Sequence, residues 1–266
     1  MPFAEINGAR VHYTDSGGDG DCVVLSHGLL HHGGMFAAQV AHLEGRHRVI
    51  TFDHRGQGKS GVTANGYDMD TLSIDAAGLI EALDAGPCHF VGLSMGGFVG
   101  MRLAARRPDL LRTLTLLNTS AEAEPAANLP KYKLMNLCAR LFGLGSVVGG
   151  AMPTMFGKTF LTDPARRTEK AFWRKSMASG NRTGVTRAVA GVFAREGCES
   201  LLAQIDLPVG IGAGEEDLAT VPAKSERIAE AIKGAELVVF KGAGHSSTIE
   251  TPDQVNALIE ATVARG

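Results

Sequence analysis

The chain has 266 residues, of which 44% are hydrophobic and 20% are charged, as is usual for a globular protein. A net charge of −2 argues against nucleic acid and against a polybasic membrane contact as partners. Residues 1–10 lack the apolar centre of a signal peptide, and no stretch of about 18 apolar residues offers a membrane span. We therefore expect a soluble, cytoplasmic protein with no membrane partner.

The cysteines are far apart and form no C-x-x-C pair. They are Cys22, Cys88, Cys138 and Cys198. Most of them lie within apolar runs, which favours buried free thiols over disulfides and is consistent with a reducing compartment.

Short apolar runs alternate with helical patterns up to residue 119 and again from residue 205. The predicted strands are a hairpin over residues 3–13 that turns at Asn7-Gly8, and the runs 22–26, 48–52, 88–93, 114–117, 207–213 and 237–240. The predicted helices are 35–43, one capped by Asp70, one that follows Ser94, 222–232 and one that begins at Thr251-Pro252. This order predicts an α/β fold with a mostly parallel sheet of eight strands and helices on both faces.

Residues 120–204 have a different pattern, with helical periodicity and no convincing strand. Apolar residues share one face of the first predicted helix, namely Leu134, Leu137, Cys138 and Leu141. We interpret residues 120–204 as a helical cap over the C-terminal edge of the sheet, and residues 1–119 and 205–266 as the core. The methionines and aromatic residues of the cap are expected mainly in its interior, with some lining a cleft beneath it.

The pentapeptide Gly92-Leu93-Ser94-Met95-Gly96 lies where a predicted strand turns into a helix, which is the context of a nucleophile elbow. Serine is a weak nucleophile at neutral pH, so it needs a partner base and a stabilised oxyanion. A tight turn exposes the Ser94 hydroxyl, and the two glycines let strand and helix pack closely. The pentapeptide alone is also compatible with a structural turn around a buried serine.

Further polar residues follow other predicted strand ends, namely His27-Gly28, Asp217 and His245. In open parallel sheets, ligands bind at that edge. The chain order of serine, acid and histidine is that of the hydrolase triad. We expect His245 to take the proton of Ser94, and Asp217 to hold the imidazole tautomer and stabilise the cation. A solvated histidine in a glycine-rich loop is the alternative for His245.

Other residues compete for the position of the acid. Glu215 and Glu216 precede Asp217, which we prefer because the chain needs room to turn beyond the strand. Asn118 follows the preceding strand, at the other place where such enzymes keep an acid. Because Asn118 is an amide and cannot serve as the acid, this position favours Asp217 as the acid of the triad.

The backbone N–H groups of Leu29 and Met95 are predicted to form the oxyanion hole, and each such donor contributes about 3 kcal/mol in the transition state. His27 and His31 have an H-x-x-x-H spacing that is found at some metal sites. The glutamate of the H-E-x-x-H motif is missing and the segment has the pattern of a loop, so we expect no metal.

Gly58-Lys59-Ser60 is similar to the end of a phosphate-binding loop. The first glycine of that motif is missing, because Asp53 stands in its place. We favour a structural turn in which Asp53 and Arg55 are held by charge and glycine.

Taken together, these motifs resemble the α/β-hydrolase superfamily over essentially the full length of the chain. The resemblance is carried by Ser26-His27-Gly28, Asp53-His54-Arg55-Gly56-x-Gly58-x-Ser60, Gly92-x-Ser94-x-Gly96-Gly97, Gly214-x-x-Asp217 and Gly244-His245. Within the superfamily, the compact cap and residues 92–97 resemble small bacterial carboxylesterases and the 3-oxoadipate enol-lactonase group. The resemblance implies the α/β-hydrolase fold, no metal and no organic cofactor.

The sequence therefore predicts a serine hydrolase that cleaves a small-molecule carboxylic ester or lactone through an acyl-enzyme. Ser94 argues against haloalkane dehalogenases and epoxide hydrolases, which have an aspartate there. Cofactor-free perhydrolases and haloperoxidases share the triad, but they usually have a bulky aromatic residue where this chain has Leu29. Acyl transfer, C–C bond hydrolysis and a non-catalytic ligand receptor also stay open. So do the substrate and the oligomeric state, a homo-oligomer included.

Overall fold

A computed structural model describes residues 2–266, which form one sheet of eight strands. The strands are β1 Phe3–Ile6, β2 Ala9–Asp15, β3 Cys22–Ser26, β4 Arg48–Phe52, β5 Cys88–Leu93, β6 Leu111–Leu117, β7 Val209–Gly214 and β8 Glu236–Phe240. Their order in the sheet is β1-β2-β4-β3-β5-β6-β7-β8. Strand β2 pairs antiparallel with both β1 and β4, and the other neighbouring pairs are parallel. The predicted fold class is confirmed.

Helices occupy most of the rest of the described chain. They are α1 Ala37–Leu43, α2 Met69–Ala82, α3 Met95–Arg106, α4 Leu129–Phe142, α5 Gly145–Met155, α6 Lys158–Thr162, α7 Arg167–Ser179, α8 Arg182–Phe193, α9 Glu199–Leu202, α10 Pro222–Ala231, α11 Ser247–Glu250 and α12 Pro252–Val263. Across residues 2–266, none of these helices has the length and apolar character needed to cross a membrane.

Neighbouring residues of the central strands point to opposite faces and join different hydrophobic clusters. In β3, Val24 belongs to the cluster that includes residues of α2, α3 and α10, whereas Val23 and Leu25 belong to the cluster that includes residues of α1 and α12. Helices therefore cover both faces of the sheet, as predicted. The second cluster also includes Met155 of α5 and Trp173 of α7, so part of the helical insertion packs onto the core.

The parallel register brings the carboxyl ends of the strands to one edge of the sheet. Ser26 at the end of β3 pairs with Gly92 of β5, and Leu93 at the end of β5 pairs with Leu117 at the end of β6. The same edge is continued by β7 and β8. The polar residues that follow these ends are His27, Ser94, Asn118, Asp217 and His245.

The start of α2 differs from the prediction. Asp68, not Asp70, is the N-cap, and its Oδ1 accepts a hydrogen bond from the Thr71 N–H at 2.8 Å. Asp70 lies in the first turn and pairs instead with Arg102 and Arg106 of α3. The two aspartates are two residues apart, and because α2 begins at Met69, Asp68 takes the N-cap position and Asp70 lies within the first turn.

Asp53 and Arg55 of the predicted turn do not pair with each other but each has another charged or titratable partner. Asp53 lies 3.0 Å from His12 and accepts the Lys59 N–H at 2.9 Å, whereas Arg55 Nε donates to Asp75 at 2.7 Å. The glycine part of the expectation holds, because a Cβ on Gly58 would collide with the Asp53 carboxylate.

The segment between β6 and β7 carries α4 to α9, and its limits at residues 120 and 204 stay predictions. The apolar face predicted for its first helix is largely the outer one. Leu134, Leu137 and Leu141 of α4 are 62%, 49% and 60% exposed. The opposite side of α4, with Met135 and Ala139, lines a cavity instead.

Candidate active site

Ser94 stands at the sharp turn between β5 and α3. Its backbone angles, φ 54° and ψ −109°, lie in a region that L-residues rarely adopt. A Cβ on Gly92 would collide with the Gly96 carbonyl, and a Cβ on Gly96 would collide with the Ser26 carbonyl. The two glycines therefore let the helix approach the sheet around a strained serine, which is the geometry that the elbow motif predicts.

The three residues predicted as a triad lie in hydrogen-bond contact. Ser94 Oγ is 2.8 Å from His245 Nε2, and His245 Nδ1 is 2.9 Å from Asp217 Oδ2. All three side chains are buried, and Ser94 is the most exposed of them at 7%. With its hydrogen on Nδ1, the His245 ring donates to Asp217 and leaves Nε2 free to accept the Ser94 proton.

Asp217 is held on both carboxylate oxygens. Oδ1 accepts the N–H groups of Ala219 and Thr220 at 2.8 and 3.0 Å, and Oδ2 accepts Thr220 Oγ1 at 2.8 Å and Asn118 Nδ2 at 2.9 Å. Burial opposes ionisation, but the charge and hydrogen bond of His245 and the donors from Thr220 and Asn118 outweigh it. The pKa of Asp217 is therefore lower than its ordinary value.

The competing acids point elsewhere. Glu215 accepts the Gly242 N–H at 3.1 Å, and Glu216 accepts the N–H and hydroxyl of Thr159 at 2.7 and 2.6 Å. Asn118 does not replace the acid but donates to it. Of the acids considered, only Asp217 contacts His245 in the described chain.

The loop after β3 approaches the serine closely. A Cβ on Gly28 would lie 3.3 Å from Ser94 Cβ, so a side chain there would crowd the turn. Within residues 2–266, neither Leu29 nor Met95 donates its N–H in any turn, loop or cap hydrogen bond. The role of these two N–H groups as oxyanion donors stays a prediction.

His27 fixes the conformation of this loop. Its Nε2 accepts the His54 N–H at 2.9 Å, so its Nδ1 carries the hydrogen and donates to the Gly28 carbonyl at 2.7 Å. Burial lowers the pKa of His27 to about 4, which keeps the ring neutral.

His31 and His32 also contact protein groups. Ser246 Oγ donates to the Met155 carbonyl at 2.7 Å, so the contact of 3.1 Å with His31 Nε2 requires His31 to be the donor. His32 Nδ1 accepts the Gly34 N–H. Within residues 2–266, no group of three or more His, Cys, Asp and Glu side chains is arranged to hold a metal.

A cavity of about 150 Å³ adjoins Ser94 and His245. Much of its wall is apolar and comes from the helical segment, with Met135 and Ala139 from α4 and Met155 from α5. Ligand sites with this character take small molecules and orient them with few polar groups.

A family model described as the alpha/beta hydrolase fold matches residues 21–252. The chain belongs to the α/β-hydrolase family. It is 28% identical to 3-oxoadipate enol-lactonase 2 of Acinetobacter baylyi over 93% of this chain and 90% of that protein. The predicted resemblance to enol-lactonases is confirmed.

Solved structures of similar proteins cover nearly the whole of this α/β hydrolase. The enol-lactonase from Burkholderia xenovorans LB400 is 30% identical, with a TM-score of 0.91 over 99% of this chain and 100% of that one. A thermophilic esterase from Thermogutta terrifontis is 27% identical, also with a TM-score of 0.91, over 99% and 98%.

Some contacts of this α/β hydrolase were not indicated by its motifs. Thr220 supplies two donors to Asp217. Gln57 accepts the Leu30 N–H at 3.0 Å and places Nε2 3.7 Å from Met95 Sδ, which joins the two segments that carry the predicted oxyanion donors. The motif around Asp53 marks this segment of the chain, but nothing in its spacing shows that Gln57 points to the site.

Proposed function

We propose that this α/β hydrolase cleaves small carboxylic esters or lactones through an acyl-enzyme on Ser94. The observation that carries the proposal is the continuous contact from Ser94 through His245 to Asp217 beside an apolar cavity. The enol-lactonase and esterase among the similar proteins support the same class of substrate.

In the first half of the reaction, Ser94 Oγ bonds to the carbonyl carbon while His245 Nε2 takes its proton. The N–H groups of Leu29 and Met95 bind the negative oxygen of the tetrahedral intermediate. The bond to the leaving oxygen then breaks, and that oxygen takes the proton from His245. Asp217 stabilises the imidazolium that exists between these transfers.

In the second half, a water molecule gives a proton to His245 and bonds to the acyl carbon. The bond to Ser94 Oγ breaks, and the proton returns to that oxygen. An ester yields an acid and an alcohol, and a lactone yields one hydroxy acid. No redox partner is needed at any step.

Labelling with an alkyl fluorophosphonate tests the nucleophile. We expect one phosphonyl group on Ser94 by peptide mass spectrometry, and no label in Ser94→Ala. Ser146 on the helical segment is an exposed serine whose hydroxyl donates to the Gly143 carbonyl, so Ser146→Ala is the matched control and keeps the label. A label on another residue, or none on the wild type, contradicts the assignment.

Rapid mixing with p-nitrophenyl acetate and butyrate tests the acyl-enzyme. A burst of nitrophenol equal to the enzyme concentration is expected when release of the acid is the slower step. Competing hydrogen peroxide or alcohol then shows which acceptor removes the acyl group. Binding of esters without turnover above the Ser94→Ala level would instead indicate a receptor.

A further inference from the structure

Glu250 is a buried carboxylate beside the candidate base. It lies at the end of α11 and is 5% exposed. Its Oε1 accepts the Ser246 N–H at 3.0 Å, and its Oε2 accepts the Gly244 N–H at 3.0 Å. These two residues flank His245, so one side chain holds the backbone on both sides of the imidazole.

The same carboxylate reaches the helical segment. Glu250 Oε2 also accepts the N–H of Gly157, which joins α5 to α6, at 2.8 Å. The contact is close, because a Cβ on Gly157 would lie 2.8 Å from the Gly244 nitrogen. Ser246 Oγ adds its bond to the Met155 carbonyl. The loop of His245 is thus attached directly to the α5–α6 junction.

The loop has other contacts, since Asn118 Nδ2 donates to the Gly244 carbonyl at 3.0 Å and the Glu216 N–H to the Ala243 carbonyl at 2.8 Å, but neither of them accepts the N–H groups on the two sides of His245. The loop follows the last strand, it turns at Gly242 with φ 69°, and α11 has only four residues. Without Glu250, the N–H groups of Gly244 and Ser246 would lose their acceptor in a buried place, which is costly. The catalytic contacts of His245 need its ring to stay within a few tenths of an ångström of its place.

We propose that Glu250 is a positioning residue that holds His245 between Ser94 and Asp217 and couples it to the α5–α6 junction. The proposal rests on the function proposed for Ser94. It requires both carboxylate oxygens as acceptors. A glutamine offers one carbonyl oxygen, so its NH₂ group must face at least one of the N–H donors.

Protonation should have the same effect as the glutamine. Burial raises the pKa of Glu250 to about 7, although its backbone hydrogen bonds oppose the shift. A protonated carboxyl turns its O–H toward a backbone donor and weakens the clamp. Four titratable or charged groups lie around Glu250 and the segments that it binds. His245 is the imidazole between its two backbone donors, and His31 contacts Ser246. Glu216 lies beside Gly157, and Arg166 donates to the carbonyl of Ile249.

The first test is ester turnover by Glu250→Gln. A misplaced base should lower kcat by about 100-fold while KM stays nearly unchanged. Glu215→Gln is the matched control, because Glu215 accepts the Gly242 N–H of the same loop but does not flank His245. We expect that control to keep kcat within about twofold. Glu250→Asp keeps both oxygens and should recover part of the loss.

The second test is the pH profile of kcat/KM. In the wild type, the loss of the clamp when Glu250 is protonated adds to the loss of the general base, so the slope of the acid limb should exceed 1. In Glu250→Gln the slope should be about 1. A wild-type slope of 1, or Glu250→Gln with wild-type kcat, overturns the proposal.

Other outcomes are also decisive. If Glu250→Gln does not fold, the slope of the acid limb of the wild-type kcat/KM profile tests the positioning role by itself, because that measurement needs no variant. If the wild type hydrolyses no ester, the proposed function fails, and the NMR signal of the His245 Nδ1 proton decides the positioning claim. That signal should be present in the wild type and lost or broadened in Glu250→Gln. An unchanged signal overturns the claim.

Discussion

Side chains at the carboxyl edge of the sheet are buried and hydrogen-bonded, whereas those on the outer face of helix α4 are largely exposed. At the edge, Asp217 is 2% exposed and accepts hydrogen bonds on both oxygens. On α4, Leu134 and Leu141 are more than half exposed. The chemistry is thus placed where the backbone of several strands fixes it. The cavity wall depends on helices with freer surfaces, so we expect substrate choice to vary there more easily than mechanism.

Glycines show the same difference. Gly96 faces the Ser26 carbonyl so closely that no side chain fits, whereas a Cβ on Gly149 of α5 would meet only Arg174 Nη2 at 3.9 Å. One glycine is required by packing and the other is replaceable.

We expect the largest loss of activity at the sheet edge from a substitution of Asp217. Asp217→Asn should lower kcat by about 10⁴-fold, because an amide can hold the wrong tautomer of His245. Ester turnover measures it, with Glu216→Gln as the control of the same edge. Activity above a tenth of the wild type would mean that another group orients His245.

Charge burial should give the next largest effect. Asp75→Ala leaves the buried Arg55 without its partner and should lower the free energy of unfolding by about 3–5 kcal/mol. The side chains of the Arg166–Glu169 pair of the helical segment are partly exposed, at 31% and 41%, so Glu169→Ala should cost at most about 0.5 kcal/mol. Urea denaturation measures both. Equal losses of stability in Asp75→Ala and Glu169→Ala would mean that the buried ion pair contributes no more than the partly exposed one.

Acid should lower the stability of the fold through His31, whose ring packs against Trp173 of α7. Burial lowers the pKa of His31 to about 3, and its ring lies 5.4 Å from that of Trp173. Below about pH 6.5 the unfolded chain takes up a proton that the folded His31 does not. Stability therefore falls with falling pH by about 1.4 kcal/mol per pH unit from this group.

His31→Gln keeps a donor for Ser246 and removes this proton, so denaturation at pH 6 and pH 4.5 should show a shallower loss of stability. Glu250 works in the opposite sense, because its raised pKa lowers stability as pH rises from about 4.5 to 7. An unchanged pH slope in His31→Gln would mean that the ring is already charged in the fold.

The smallest effect concerns the replaceable glycine. Gly149→Ala should raise the free energy of unfolding by about 0.5–1 kcal/mol through helix propensity. Gly96→Ala should lower it by about 1–3 kcal/mol through overpacking. Thermal melting of the two variants measures the difference. A loss in Gly149→Ala would show that α5 is packed as tightly as the elbow.

Local sequence determined the strands and the order of the candidate residues. Apolar runs bounded by turn residues mark each parallel strand, and Ser94, Asp217 and His245 each follow one of them. Because parallel strands end at one edge, their order alone brings these residues near one another. The need for close packing at Gly92 and Gly96 can be predicted from the sequence, because the elbow motif itself contains these two glycines.

Only the tertiary structure decided which distant groups meet. Arg55 pairs with Asp75, and Asp70 pairs with Arg102 of α3 whereas Asp68 caps α2. Glu250 binds Gly157 across 93 positions of the chain. The apolar face of α4 points outward, because periodicity shows that residues share a face but not which way that face is turned.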